Sequence, residues 1–145
     1  MSGTSVVTVK QTLLAAIQTA LTGTGVQTAY AWPGGTEERE LVYLGTAEFE
    51  QTYRTFAGGG RVSREEDVTV AVHIAVTKLG VTFEETEERA VEIGTLLEHS
   101  LAANPTQSGA ALNFQIAGGG LGGFTEDEFT TSVLSYEVSA TSHLT

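Results

Sequence analysis

Alternation of apolar and polar side chains is clearest between Asp67 and Thr77. Val68, Val70, Val72, Ile74 and Val76 occupy every second position, with Asp67, Thr69, Ala71, His73 and Thr77 between or beside them. A period of two marks a strand with one buried face. After Gly80 the period changes. Phe83, Ala90, Ile93, Gly94, Leu97 and Leu101 recur at helical spacing, while Glu85, Glu88, Arg89, Glu92 and His99 take the opposite side. An amphipathic helix is expected there, stopped by Asn104-Pro105. A strand and a helix with one apolar face each can bury them only against one another or against further layers, which predicts a helix-on-sheet domain.

Upstream, Val6, Val9, Leu13, Ala16, Ile17 and Ala20 form a helical stripe. Thr8 with Gln11 is a candidate capping box, and Gly23 and Gly25 supply the stop, so the first element is a helix over about residues 5–22. Val26–Trp32, β-branched and aromatic, runs into Pro33-Gly34-Gly35 and reads as a strand ended by a turn. Beyond an acidic turn at Glu37–Glu40, Leu41–Phe56 reads as a longer strand with a bulge or bend at Gly45, placing Ala47, Phe49, Gln51, Tyr53 and Thr55 on one face. Ala57–Glu66 contains three consecutive glycines and reads as a flexible hairpin connection, because glycine loses the most backbone freedom on ordering.

Downstream of the helix, Ala110–Ala117 reads as a strand, Gly118–Gly123 as a second flexible connection, and Asp127–Leu144 as a long final strand. In that strand Leu134, Tyr136, Val138 and Ala140 oppose Phe129, Thr131, Val133 and Ser135. The order of helix, three strands, helix and two strands indicates an α+β fold: a mostly antiparallel sheet with two amphipathic helices packed on one face and long glycine-rich hairpins. No internal repeat or linker divides the chain, so residues 1–145 are expected to form a single domain.

At 145 residues and 41% hydrophobic composition the chain can bury a core without covalent help. It contains no Cys, which excludes disulfides, thiolate catalysis and Cys-ligated zinc. No apolar run approaches the roughly 20 residues that span a bilayer, and no leader pattern opens the chain, so a soluble protein that is not secreted is expected. The formal charge of −11 rests on only seven Lys plus Arg. Such a surface repels nucleic acid phosphates and anionic membranes, and also favours solubility. Three of the seven cations, Arg54, Arg61 and Arg64, sit in or beside the first glycine-rich connection.

Candidate chemistry is sparse. Neither Gly58-Gly59-Gly60 nor the tract at Gly118–Gly123 matches the GxxxxGK[ST] phosphate loop. His73, His99 and His143 stand far apart without ligand partners at metal-binding spacing. Glu84, Glu85, Glu87 and Glu88 crowd the first turns of the second helix, where negative charge favours the helix dipole. No GxSxG elbow is present, and no isolated Asp or Glu in an apolar setting offers a general acid. Neither an enzyme nor a bound cofactor or metal is expected.

Several stretches together carry a resemblance. These are the first helix (VKQTLLAAIQTAL), a strand ending in AYAWPGG, the LVYLG strand, the glycine-rich hairpin, the VTVAVHIAV strand and the helix EETEERAVEIGTLLEHSLAANP with its LxxNP ending at Leu101–Pro105. In this order they resemble the tail terminator, or tail completion, proteins of long-tailed bacteriophages and phage-like particles. The resemblance implies a structural virion protein, assembled in the host cytoplasm. Copies would close into a ring, expected to be hexameric, at the head-proximal end of the tail tube, ending polymerisation and joining the tail to the head connector. The implied partners are further copies of the chain, the tail tube protein and the head–tail connector protein. DNA would only slide through the channel, and no membrane is involved. Arg54, Gly58, Gly59, Gly60, Arg61 and Arg64 are the expected contact with the tube or an adjacent subunit. The alternatives are a head-side connector or tail tube subunit, or a small-molecule-binding α+β domain using a sheet face lined by Phe49, Tyr53 and His73.

Overall fold

In the computed structural model, which describes residues 4–35, 37–53, 64–103 and 113–144, the alternating valine strand lies at the centre of one five-stranded sheet. In chain order the elements are α1 (Val6–Ala20), β1 (Gln27–Ala29), β2 (Arg39–Tyr53), β3 (Arg64–Leu79), α2 (Phe83–Ala103), β4 (Asn113–Glu126) and β5 (Phe129–Leu144). The strand order is β1-β2-β3-β5-β4. Every pairing is antiparallel except the short parallel one between β1 and β2. The expected α+β architecture is therefore present.

Parity along β3 separates the two faces. Val68, Val70, Val72, Ile74 and Val76 are all buried beneath the helices, which contribute Val9, Leu13 and Ile17 from α1 and Ala90, Ile93, Leu97 and Leu101 from α2. On β5, Leu134, Val138 and Ala140 join the same core. Each fully buried aliphatic side chain contributes roughly 1.5 to 3 kcal/mol of transfer free energy, so this face dominates the stability of the domain. Gly94 lets α2 approach the sheet, because a Cβ there would run into Leu134 and Tyr136.

Several expectations need correction. The Thr8–Gln11 capping box does not form, since α1 begins at Val6 with Ser5 at its N-cap. The hydroxyl of Ser5 instead donates to Glu66 at 2.5 Å. The first strand is only three residues long, ending at Ala29, and Trp32 lies outside the ladder with its ring against Tyr43. β3 already begins at Arg64, inside the stretch expected to be a connection, and Glu66 is fully buried. β2 ends among the described residues at Tyr53, and the rest of its expected span lies outside them, as do Asn104-Pro105. The bulge at Gly45 does occur, as a register shift between Leu44 and Ala47.

The largest correction concerns Gly118–Gly123. These residues are not a flexible connection but the middle of β4, paired residue for residue with Glu137 back to Ser132 on β5. The actual turn is Asp127–Glu128, with Asp127 in the left-handed region at φ 54°. Glycine is required in parts of this tract for space: a Cβ at Gly119 would strike the Ser135 carbonyl, and one at Gly123 would lie 2.9 Å from the Phe83 ring. Ladder hydrogen bonds offset the entropy that the glycines lose. Nor does this hairpin project as an arm, because Leu79 on β3 pairs with Phe129, level with its tip.

Candidate interaction surfaces

Arg39, Leu41 and Tyr43 of β2 pair with Thr77, Ala75 and His73 of β3, on the face that carries no helix. Loop residues after β1 fold over this end. Arg39 donates from Nη2 to the Gly34 carbonyl at 2.8 Å and lies 4.8 Å from the centre of the Trp32 ring. The Trp32 ring packs tilted against Tyr43 with centroids 5.1 Å apart, and Tyr43 likewise against His73 at 5.0 Å. His73 also shares a 2.8 Å hydrogen bond between Nδ1 and the Ser135 hydroxyl. Burial lowers the His73 pKa and raises that of Tyr43, so the ladder from Arg39 to His73 carries its charge at the arginine. Trp32 and Phe124 are each 52% exposed, which leaves an aromatic surface at this end.

The opposite end of the same face is acidic. Glu48 and Glu50 pair with Thr69 and Asp67, Glu65 lies on the same face of β3, and Glu137 follows on β5. Asp67 accepts a 2.8 Å hydrogen bond from the Thr141 hydroxyl. One face of the sheet thus grades from aromatic to anionic along the strand direction.

On the helix side, Glu66 anchors the start of α1. Its carboxylate accepts the Ser5 amide at 2.7 Å and the Gln51 amide at 2.7 Å, and the Ser5 hydroxyl also meets that of Ser142 at 2.8 Å. Burial alone would raise the carboxyl pKa, but the hydrogen bonds from Ser5, Gln51 and Thr4 outweigh it and hold the value below the usual range. A second tie runs from α2 to β2, where Arg89 donates to both oxygens of Glu40 at 2.6 and 3.0 Å. This fork lowers the Glu40 pKa.

A groove runs between α2 and β4. Its first hollow, of about 470 Å³, is bounded by Glu98, Leu101 and Ala102 of α2 and by 113–116 of β4. Further along, the glycine tract and Leu121 form its wall beneath Tyr136 and then beneath Glu84, Glu87, Glu88 and Val91. Tyr136 is pushed up to about 12, first by burial and then by Glu98. Among the described residues β4 is an edge strand, paired only with β5.

Of the expected contact residues, Arg54, Gly58, Gly59, Gly60 and Arg61 lie outside the described residues. Arg64 opens β3, opposite Tyr53 and Leu144, at the base of the hairpin. The alternative small-molecule site does not come together. Phe49 and Tyr53 sit on the helix side, opposite Val68 and Arg64, whereas His73 faces the other way, opposite Tyr43. The bulge between Leu44 and Ala47 reverses the parity of β2 and separates them. Sequence reasoning missed the groove, although apolar residues on both flanks of the glycines, Ile116 and Phe124, signalled a strand passing through. Among the described residues no cluster of three or more Asp, Glu or His is placed to hold a metal, and no helix is long and apolar enough to cross a membrane. No protein-family model and no curated protein matches this chain.

Proposed function

We propose that this chain is a non-enzymatic assembly protein of the tail terminator kind. Copies close into a ring at the head end of a tail tube, halt its polymerisation and present a surface to the head connector. The observation that carries the assembly role is the β4 edge. From Asn113 to Thr125 it contains no charged residue and no proline, and it is exposed from Ala117 onward. Long edges of this kind are usually blunted by charge, proline or a cover, because their free backbone groups recruit another strand. Exposed Val91 and Leu121, which share a hollow, and Phe124 on β4 itself are surfaces of the sort that associating proteins bury. The choice of a tail terminator among assembly proteins rests on the resemblance in element order and motifs.

In such a ring the acidic end of the helix-free face suits a lumen. Glu48, Glu50, Asp67 and Glu137 would repel DNA phosphates and let the duplex pass without sticking. Electron microscopy and native mass spectrometry of the purified protein test the reading together with particles made without it. Rings, and tails of uncontrolled length that fail to join heads, are expected. A protein that stays monomeric at high concentration, with normal particles in its absence, refutes it.

A further inference from the structure

We infer that the groove between α2 and the β4 edge takes up an extended segment of a different protein, alternating cationic and aliphatic residues, as an added strand. This rests on the assembly reading above and names the chemistry of a partner at that surface. The groove is continuous. Its three hollows, of about 470, 440 and 450 Å³, share Glu98 and Ile116 at one junction and Leu121 at the next, and so follow β4 from Asn113 to Leu121. At roughly 3.3 Å per residue that stretch holds an extended segment of about eight residues. Along it β4 has no pairing partner on its outer flank among the described residues. A segment bound by β-augmentation pairs with such a flank and turns every second side chain toward the helix. Gly118, Gly119 and Gly120 leave their part of the wall without side chains, which makes room for those of the incoming strand. Beyond them Val91 and Leu121, 46% and 43% exposed, offer an aliphatic seat in one hollow.

Charge selects the occupant. Glutamates border the groove along its length, and no Lys or Arg lines any of the three hollows. Two of these glutamates are already engaged: Glu92 accepts from Arg89 at 3.0 Å, and Glu98 accepts a hydrogen bond from the Tyr136 hydroxyl. Glu84, Glu87 and Glu88 meet no cation among the described residues. A second copy does not supply one at its own open edges. Its β4 would set the same glutamate row against this one, and like charges across an interface disfavour that pairing. The opposite border of its sheet is formed by Gln27–Ala29 and, past β1, by Ala47–Tyr53, and neither stretch contains Lys or Arg. The segment that fits comes from another protein. It seats a Val, Ile or Leu between Val91 and Leu121 and places Lys or Arg beside Glu84, Glu87 and Glu88.

The probe is a blocked synthetic peptide of alternating Val and Arg, titrated into the full chain by calorimetry. Saturable binding is expected, with amide hydrogen exchange slowed along β4. An analogue of equal charge, N-methylated at every amide and so without backbone donors, should bind about ten-fold more weakly or not at all. E87K/E88K should also weaken binding about ten-fold, whereas E48K/E50K, the same change of net charge at the opposite border, should leave it nearly unchanged. Circular dichroism melts control for folding, and the N-methyl comparison uses the unaltered protein. Equal binding of the two peptides, or equal loss in the two double variants, overturns the docking, because only attraction to net charge is then at work. No binding by a protein that forms rings in mass photometry overturns the docking and leaves the assembly reading intact. Binding by a protein that never forms rings supports the docking and overturns the ring.

Discussion

Replacing Glu66 tests whether α1 is held to the sheet by one buried carboxylate. The group is 0% exposed and accepts hydrogen bonds from the amide and hydroxyl of Ser5, from Gln51 and from Thr4. Hydrogen bonds to a charged group contribute about 1.5 to 3 kcal/mol each, but these share one acceptor and do not add. Glu66→Ala leaves the part-buried Ser5 and Gln51 donors without their acceptor, which costs about 1 to 3 kcal/mol per unsatisfied group, a large part of a total near 5 to 15 kcal/mol. Glu66→Gln keeps the shape and one acceptor oxygen, and the Gln51 amide can turn to match it, so about 1 to 2 kcal/mol is expected. The pH dependence gives a sharper signature. The folded pKa of Glu66 lies below the ordinary 4.5, so its stabilisation is complete above that value and is lost as pH falls through the folded pKa. Urea unfolding at fixed protein concentration should therefore show a gap between wild type and Glu66→Gln at neutral pH that narrows in acid. An unchanged gap, or a Glu66→Ala protein as stable as wild type, would refute the anchoring role.

Leu97→Ala should cost about 2 to 5 kcal/mol, because the side chain is 3% exposed beneath α2; denaturant midpoints check this. Gly94→Leu should destabilise strongly through collision with Leu134 and Tyr136, read as a fall in melting temperature. A double-mutant cycle on Arg89→Ala and Glu40→Ala should give a coupling of about 1 kcal/mol that shrinks as salt is raised, since the pair is partly exposed. Deleting Gly58–Gly60 should leave the monomer melt nearly unchanged and reduce ring formation in native mass spectrometry, because shortening a connection changes closure entropy only slightly.

Much of this fold is legible in one dimension. Periodicity of two at Val68–Val76 and of 3.6 at Ala90–Leu101 identified the central strand and its covering helix, because burial on one face imposes those periods on any sequence. Gly45 announced the bulge. Its consequence was not legible: whether Phe49 and His73 share a face depends on how many residues the partner strand sets against Gly45 and Thr46, which is a property of the pair. The glycine tract misled for a similar reason. Local entropy makes Gly118–Gly123 a loop, and only the long β5 ladder beside it, with the Ser135 carbonyl and the Phe83 ring occupying the space a Cβ would need, makes it a strand. Glu66 read as a loop carboxylate until Ser5, 61 residues away, arrived to donate to it. The sequence by itself determined which residues prefer to be buried and at what local period. The pairing of distant segments decided which glycines are strand, which carboxylate is anchored and which described strand lies at the edge of the sheet, because those outcomes depend on contacts that no local window contains.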